Sequence, residues 1–345
     1  MNARKYSAVA TFAMATLLTG AAFADGTVNI YTYRQPELIQ PVLDAFTAET
    51  GIKTEVLFLD KGLEERVQAE GQNSPVDVIM TVDISRLTKA KEAGITQVLV
   101  DEKVNAEIPA EYRDPDGNWF GLTQRARVIY ASKDRVTDTA LTYADLADPK
   151  WKGKLCMRSG QHDYNLALFS AAIAHWGPEK TEEWMKGLKA NLGRKPDGGD
   201  RPQAGAILAG ECDIALGNTY YVGLMRTNEK DPKEKEWGNA INVVFPTFEN
   251  GLTHVNISGI ALAKHAPNRD NAVKLIQFLA SDKAQQIYAE KNFEYPVEPG
   301  LEPSGMVKSF GALNADTLPL AEIAGNRKQA SEMVDRVGLD DGPSS

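Results

Sequence analysis

The strongest constraint on the fold is a strict alternation of strand and helix signals that starts at Val28. Val28 to Tyr33 reads as a strand. A helix follows over 36–50, with Pro36 near its first position, Gly51 as its stop, and Leu38, Ile39, Val42, Leu43 and Phe46 turned inward. A β-branched strand over 52–59, a helix over 62–70 and a buried strand over 76–80 come next. Asp83 is then placed to cap a helix ending before Gly94. This order predicts a parallel, doubly wound sheet with helices on both faces.

A second unit of the same kind begins near Leu155. A short strand (155–157) precedes helices over 163–175, 180–192 and 204–209, and a buried strand follows over 212–216. Between the units, 121–131 reads as a long extended crossing and 240–245 as the matching return. A strand over 254–263 and one long amphipathic helix over 268–291 close the pattern, with a disordered tail expected from Asp340. The expected fold is α/β: two doubly wound lobes joined by a two-strand hinge. The N-terminal lobe takes 25–122 plus 252–296, and the C-terminal lobe takes 123–251 plus 297–345. Sheets of this type bind ligands beyond the carboxyl ends of their strands, so the site belongs in the cleft between the lobes.

The first 24 residues stand outside this pattern. Arg4 and Lys5 precede a stretch of apolar or small residues over 6–20, and Ala22-Phe23-Ala24 offers a small-x-small cleavage site before Asp25. The apolar core is short and broken by Thr11, Thr16 and Thr19, which fits a cleaved signal peptide better than a membrane anchor. Cleavage removes two of the 38 Lys and Arg and none of the 47 Asp and Glu, so the mature chain is acidic. That excess argues against a nucleic-acid partner and against a polybasic lipid-binding surface. In an exported chain the cysteine pair Cys156 and Cys212 reads as a disulfide rather than two free thiols.

No hydrolase nucleophile elbow, zinc-protease helix, P-loop or dinucleotide fingerprint occurs, and His162, His175, His254 and His265 are scattered. The chain is therefore expected not to be an enzyme. Two segments carry the chemistry instead. In 210–221 (GECDIALGNTYY) a buried strand runs through Gly217-Asn218 into a helix that Thr219 is placed to cap and that opens with Tyr220 and Tyr221. In 155–168 (LCMRSGQHDYNLAL) a second strand meets a second helix, with Tyr164 in its first turn. Adjacent tyrosines face opposite sides of a strand and diverge by about 100° on a helix. Only a strand-to-helix junction brings both phenols to one point; otherwise one packs and the other lies at the surface. A Cys156–Cys212 bridge would tie the two junctions together and place Tyr164, Tyr220 and Tyr221 at one end of one sheet. Phenols ionise near pH 10, so phenolate ligation at neutral pH calls for a hard, highly charged cation such as Fe³⁺.

These same segments, with 121–132 (GLTQRARVIYAS), 147–160 (ADPKWKGKLCMRSG) and 162–165 (HDYN), resemble the periplasmic ferric-iron-binding proteins, the bacterial transferrins. The likeness extends over essentially the whole mature chain. It implies a type II periplasmic binding protein fold, a monomer that delivers Fe³⁺ to an inner-membrane ABC permease, and iron ligation by Tyr164, Tyr220 and Tyr221. Many relatives carry Arg-His-Tyr in the loop after the first strand, adding ligands from the opposite lobe. Here the loop reads Tyr33-Arg34-Gln35-Pro36, so neither ligand is available at its usual place; Tyr31 and Tyr33, on one face of the strand, are expected to pack rather than ligate, with Tyr33 near the strand end the alternative ligand. Three oxygens leave a six-coordinate ion incomplete, so an exogenous anion such as carbonate is expected to complete the shell, clamped by Arg34 and Arg125. Arg34 or Arg125 could instead pair with a surface carboxylate, and Arg127, which shares Arg125's strand face, could replace Arg125. The competing readings are the same fold carrying a polyamine, thiamine or an oxyanion, a secreted hydrolase, and a structural interaction module.

Overall fold

The computed structural model describes residues 26–303 and 305–343; the leader at 1–24 lies outside them. Among the described residues nine strands form the framework: β1 (Thr27–Thr32), β2 (Lys53–Phe58), β3 (Val78–Thr81), β4 (Phe120–Ser132), β5 (Leu155–Cys156), β6 (Ile214–Asn218), β7 (Ile241–Val244), β8 (Val255–Leu262) and β9 (Tyr295–Pro296). They run in the order β2-β1-β3-β8-β4-β6-β5, with β7 and β9 also paired to β4.

The first half of the chain folds as the alternation predicts. β1 is parallel to β2 and β3, joined by the Pro36–Thr50 and Leu63–Glu70 helices. Gly51 ends the first of these in the left-handed conformation (φ 74°), its N–H returning to the Thr47 carbonyl. Ile39, Val42, Leu43 and Phe46 enter the core, whereas Leu38 is only half-buried and lines the cleft. Asp83 caps the Ile84–Glu92 helix by accepting from the Ser85 N–H at 2.8 Å.

β4 is the element that joins the two halves. Its N-terminal part pairs antiparallel with β8 (Phe120 to Ala126), and its C-terminal part pairs with β6 (Arg127 to Ala131) and β7 (Ile129 to Ser132). The lobes are thus mixed sheets sharing one long strand. The segment expected to return to the first sheet behaves differently: β7 pairs only with the C-terminal part of β4, and β8 begins the return, opposite Arg125 and Ala126. Isolated from its partners, 240–245 shows only its extended character, which fits either role.

Two further expectations fail for local reasons. The long helix over 268–291 is two helices, Arg269–Ala280 and Asp282–Asn292, broken at Ser281. Ser281 is extended (ψ 154°), and its hydroxyl and N–H both donate to the Phe278 carbonyl, so Ser-Asp acts as a stop and a new start. The tail is also ordered at Asp340, which accepts from Ser159 Oγ, Gly160 N and Gln161 N and so holds the loop before Tyr164's helix.

Candidate metal centre

The two junctions meet as a pair. Leu155 and Cys156 of β5 lie parallel to Ile214 and Ala215 of β6, and Cys156 and Cys212 are bonded with Cα atoms 5.9 Å apart, within the ordinary disulfide range. Beyond β5, His162 caps the Asp163–Trp176 helix, its Nδ1 accepting from the Tyr164 N–H at 3.2 Å. Burial, reinforced by nearby Arg158, lowers His162 to about 4, so it is neutral at physiological pH. Beyond β6, the Thr219–Arg226 helix is entered from Asn218; Thr219, expected as the cap, is already its first residue.

The three phenols converge. Tyr220 Oη donates to Tyr164 Oη at 3.1 Å, and the Tyr220 and Tyr221 ring centroids are 4.3 Å apart at 39°. Together with Arg34, Arg125 and Glu294 they line a cleft cavity of about 290 Å³. Burial pushes the Tyr220 phenol well above its ordinary value, and the neighbouring Tyr164 and Tyr221 oxygens add to the effect. Burial and Tyr164 likewise push Tyr221 up to about 12. Without a cation at their meeting point, Tyr220 and Tyr221 are neutral at pH 7.

A buried polar network fixes this geometry. Arg127 donates from Nε and Nη2 to Asn165 Oδ1 (3.1 and 2.7 Å), and from Nη1 to Asp200 Oδ2 (2.6 Å) and Asn218 Oδ1 (3.1 Å). Asp200 also accepts from the Asn218 N–H at 2.9 Å. Asn165 follows Tyr164, and Asn218 precedes the two tyrosines by two residues, so one guanidinium spans both junctions. Burial disfavours the Asp200 carboxylate, but Arg127 and Arg158 more than offset it and hold it below the usual range. Arg127 is therefore committed to the scaffold and cannot replace Arg125, a correction that needs the Asp200 contact to see.

The two expected anion-clamp residues both line the cavity. Arg125 donates from Nη2 to the Val82 carbonyl, its Nη1 is buried without a protein partner, and its guanidinium lies 5.6 Å from the Tyr164 ring centroid. Arg34 is buried and pairs with the Glu294 carboxylate at 2.6 Å, not with a surface carboxylate. Tyr33 also lines the cavity, but its hydroxyl is engaged: it donates to Glu64 and accepts from the Leu63 N–H at 2.9 Å, and the Arg86 guanidinium lies 3.8 Å above its ring. Tyr31 is buried and bonded to Glu70. Sequence reasoning missed Asp200 and Glu294, since nothing near either marks it as buried.

The profile of the bacterial extracellular solute-binding protein family matches residues 31–286. The chain belongs to this family. Among solved structures, this solute-binding protein is similar to a Bordetella ferric binding protein at 54% identity and a TM-score of 0.86, covering 91% of this chain and 99% of that one. It is similar to a Trichodesmium protein solved in complex with iron and citrate ligands at 40% identity and a TM-score of 0.86, covering 91% and 100% of the two chains. It is also 42% identical to iron uptake protein A1 of Synechocystis over 314 residues, 90% of this chain and 87% of that protein. The type II periplasmic binding protein fold expected from the sequence is the fold of these neighbours.

Proposed function

We propose that this protein captures Fe³⁺ between its lobes through the phenolate oxygens of Tyr164, Tyr220 and Tyr221 and delivers it to an inner-membrane ABC permease. The observation that carries this reading is the 3.1 Å contact between the Tyr164 and Tyr220 hydroxyls, with the Tyr221 ring 4.3 Å from that of Tyr220. Two buried phenols whose ionisation is pushed upward are costly to deprotonate unless the incoming ligand is strongly positive. A trivalent hard ion meets that condition and prefers anionic oxygen. Capture then releases the phenol protons, up to three for each ion bound.

A synergistic anion such as carbonate completes the shell. Arg34 and Arg125 both line the cavity, and Arg125 Nη1 has no protein partner, guanidinium being suited to a planar oxyanion. The lobes at 25–122 plus 252–296 and 123–251 plus 297–345 close on the ion about β4, as a monomer in the periplasm. A polyamine fits this cleft less well, because its one deeply buried carboxylate, Glu294, is already paired with Arg34.

Metal analysis and a visible spectrum of freshly isolated protein, before and after a strong chelator, test the reading. Bound iron with a phenolate charge-transfer colour, lost on chelation and restored by ferric iron, is expected. A colourless, iron-free protein that ferric iron leaves unchanged would overturn it.

A further inference from the structure

Beside the three phenols, the cavity holds a buried carboxylate whose hydrogen bonds go to Arg34, Thr123 and Ser258 and to no phenol. Glu294 is fully buried. Its Oε1 accepts from Arg34 Nη2 at 2.6 Å, and its Oε2 accepts from Thr123 Oγ1. Ser258 Oγ lies 3.4 Å from Oε2 and itself accepts from the same Arg34 nitrogen. Thr123 of β4 and Ser258 of β8 are direct cross-strand partners. One carboxylate thus pins Arg34, from the loop after β1, to the strand pair through which the lobes are joined.

The backbone that delivers Glu294 is itself unusual. Phe293, immediately before it, has φ 58°, the one positive φ among the described non-glycine residues, a conformation costly for a bulky side chain and kept only where the surroundings enforce it. The surroundings here are the tyrosine helix: a Cβ on Gly223 would lie 2.7 Å from the Phe293 Cβ. Phe293 therefore packs against the helix bearing Tyr220 and Tyr221, two residues after the second of them. Directly after Glu294, Tyr295 and Pro296 pair with Gln124 and Thr123. This short connector touches the tyrosine helix, the joining strands and the Arg34 loop at once.

We infer that Glu294 is a positioning residue for the synergistic anion: it anchors Arg34 by one nitrogen and so sets the guanidinium's aim into the phenol cavity. This rests on the iron-and-anion reading above. Glu294 acts through Arg34: one of its oxygens accepts from the guanidinium and the other from Thr123, which together fix the pair to β4. Burial disfavours Arg34's charge, but Glu294 more than offsets this and keeps it a cation. The arrangement explains how an arginine, ordinarily a mobile side chain, is presented to the cavity in one orientation.

The test is ferric-iron titration of wild type, Glu294→Gln, Arg34→Ala and the double variant, each with and without added bicarbonate. Bicarbonate should tighten wild-type binding. Glu294→Gln should lose about tenfold of that enhancement, the scale of one charge-assisted hydrogen bond, and Glu294→Asp should recover part of it. In the Arg34→Ala background the Gln substitution should change nothing further, the signature of action through Arg34. Equal losses in both backgrounds, or an unchanged bicarbonate enhancement, would overturn the inference. Should Glu294→Gln fail to fold, Thr123→Val and Ser258→Ala each remove one anchor, and an unaltered enhancement in both counts against it equally. Wild type that binds iron but ignores bicarbonate overturns the inference alone; wild type that binds no iron overturns the iron reading itself.

Discussion

The two faces of the cleft are built on opposite principles. The face formed by β5, β6 and their helices carries all three phenols and fixes them three ways, by the Cys156–Cys212 bond, the His162 cap and the Arg127–Asp200 network. The opposing face, from the loop after β1, presents Arg34 held by Glu294, an exposed Gln35, and a Tyr33 committed to Glu64. One face gathers three phenols at a set geometry; the other carries positive charge and a phenol whose hydroxyl is already engaged. In the proposed reading, this division puts the metal chemistry on the first face and anion binding across the gap. It also makes the two faces separable by experiment.

The largest expected effect is on pH dependence, which the phenol face controls. Because ligation as phenolate strips protons from up to three tyrosines, apparent iron affinity should fall by up to about a thousandfold for each unit of acidification below neutrality. Titrations at several pH values measure the slope, and a slope near zero would mean that the phenols do not ionise on binding. In the iron-free protein the raised phenols work in the other direction. Their neutral form is the one the fold accommodates, so stability is full below the unfolded tyrosine value of about 10. It is lost as pH rises from there through the folded value of about 12 for Tyr221.

Next in size is the scaffold beneath the phenols. Asp200→Ala strands the buried Arg127 charge and should cost about 3–5 kcal/mol, seen as a lower urea midpoint, with weakened iron binding as the two junctions loosen. A wild-type midpoint would mean that the network is not what fixes this face. Smallest is Gln35→Ala on the opposing face, where an exposed side chain should leave stability within about 0.5 kcal/mol and iron affinity unchanged. A large loss there would show that this loop supplies a ligand after all.

How far the sequence foretells these features depends on the range of the interactions involved. The Pro36–Thr50 helix and the Asp83 cap were legible because their signals are local. Tyr164, Tyr220 and Tyr221 were candidates for the same reason, each lying in the first turn of a helix that follows a strand. The break at Ser281 was also local, but the apolar period continues across it and hides the Ser-Asp punctuation. Arg127, Asp200 and Glu294 were illegible in their true roles. A buried charge is defined by its partner, and here the partners lie 73 residues apart for Arg127 and Asp200 and 260 apart for Arg34 and Glu294. The return strand was misassigned because an extended run does not state which edge it will join.

The most direct test of the central claim is visible spectroscopy of iron-loaded protein across the single variants Tyr164→Phe, Tyr220→Phe and Tyr221→Phe. If all three phenolates bind one ion, each substitution should weaken the charge-transfer band and lower iron affinity while leaving the far-ultraviolet circular dichroism and the disulfide intact. Wild-type colour and affinity in any one of the three would remove that tyrosine from the site, and wild-type behaviour in all three would contradict the phenolate account.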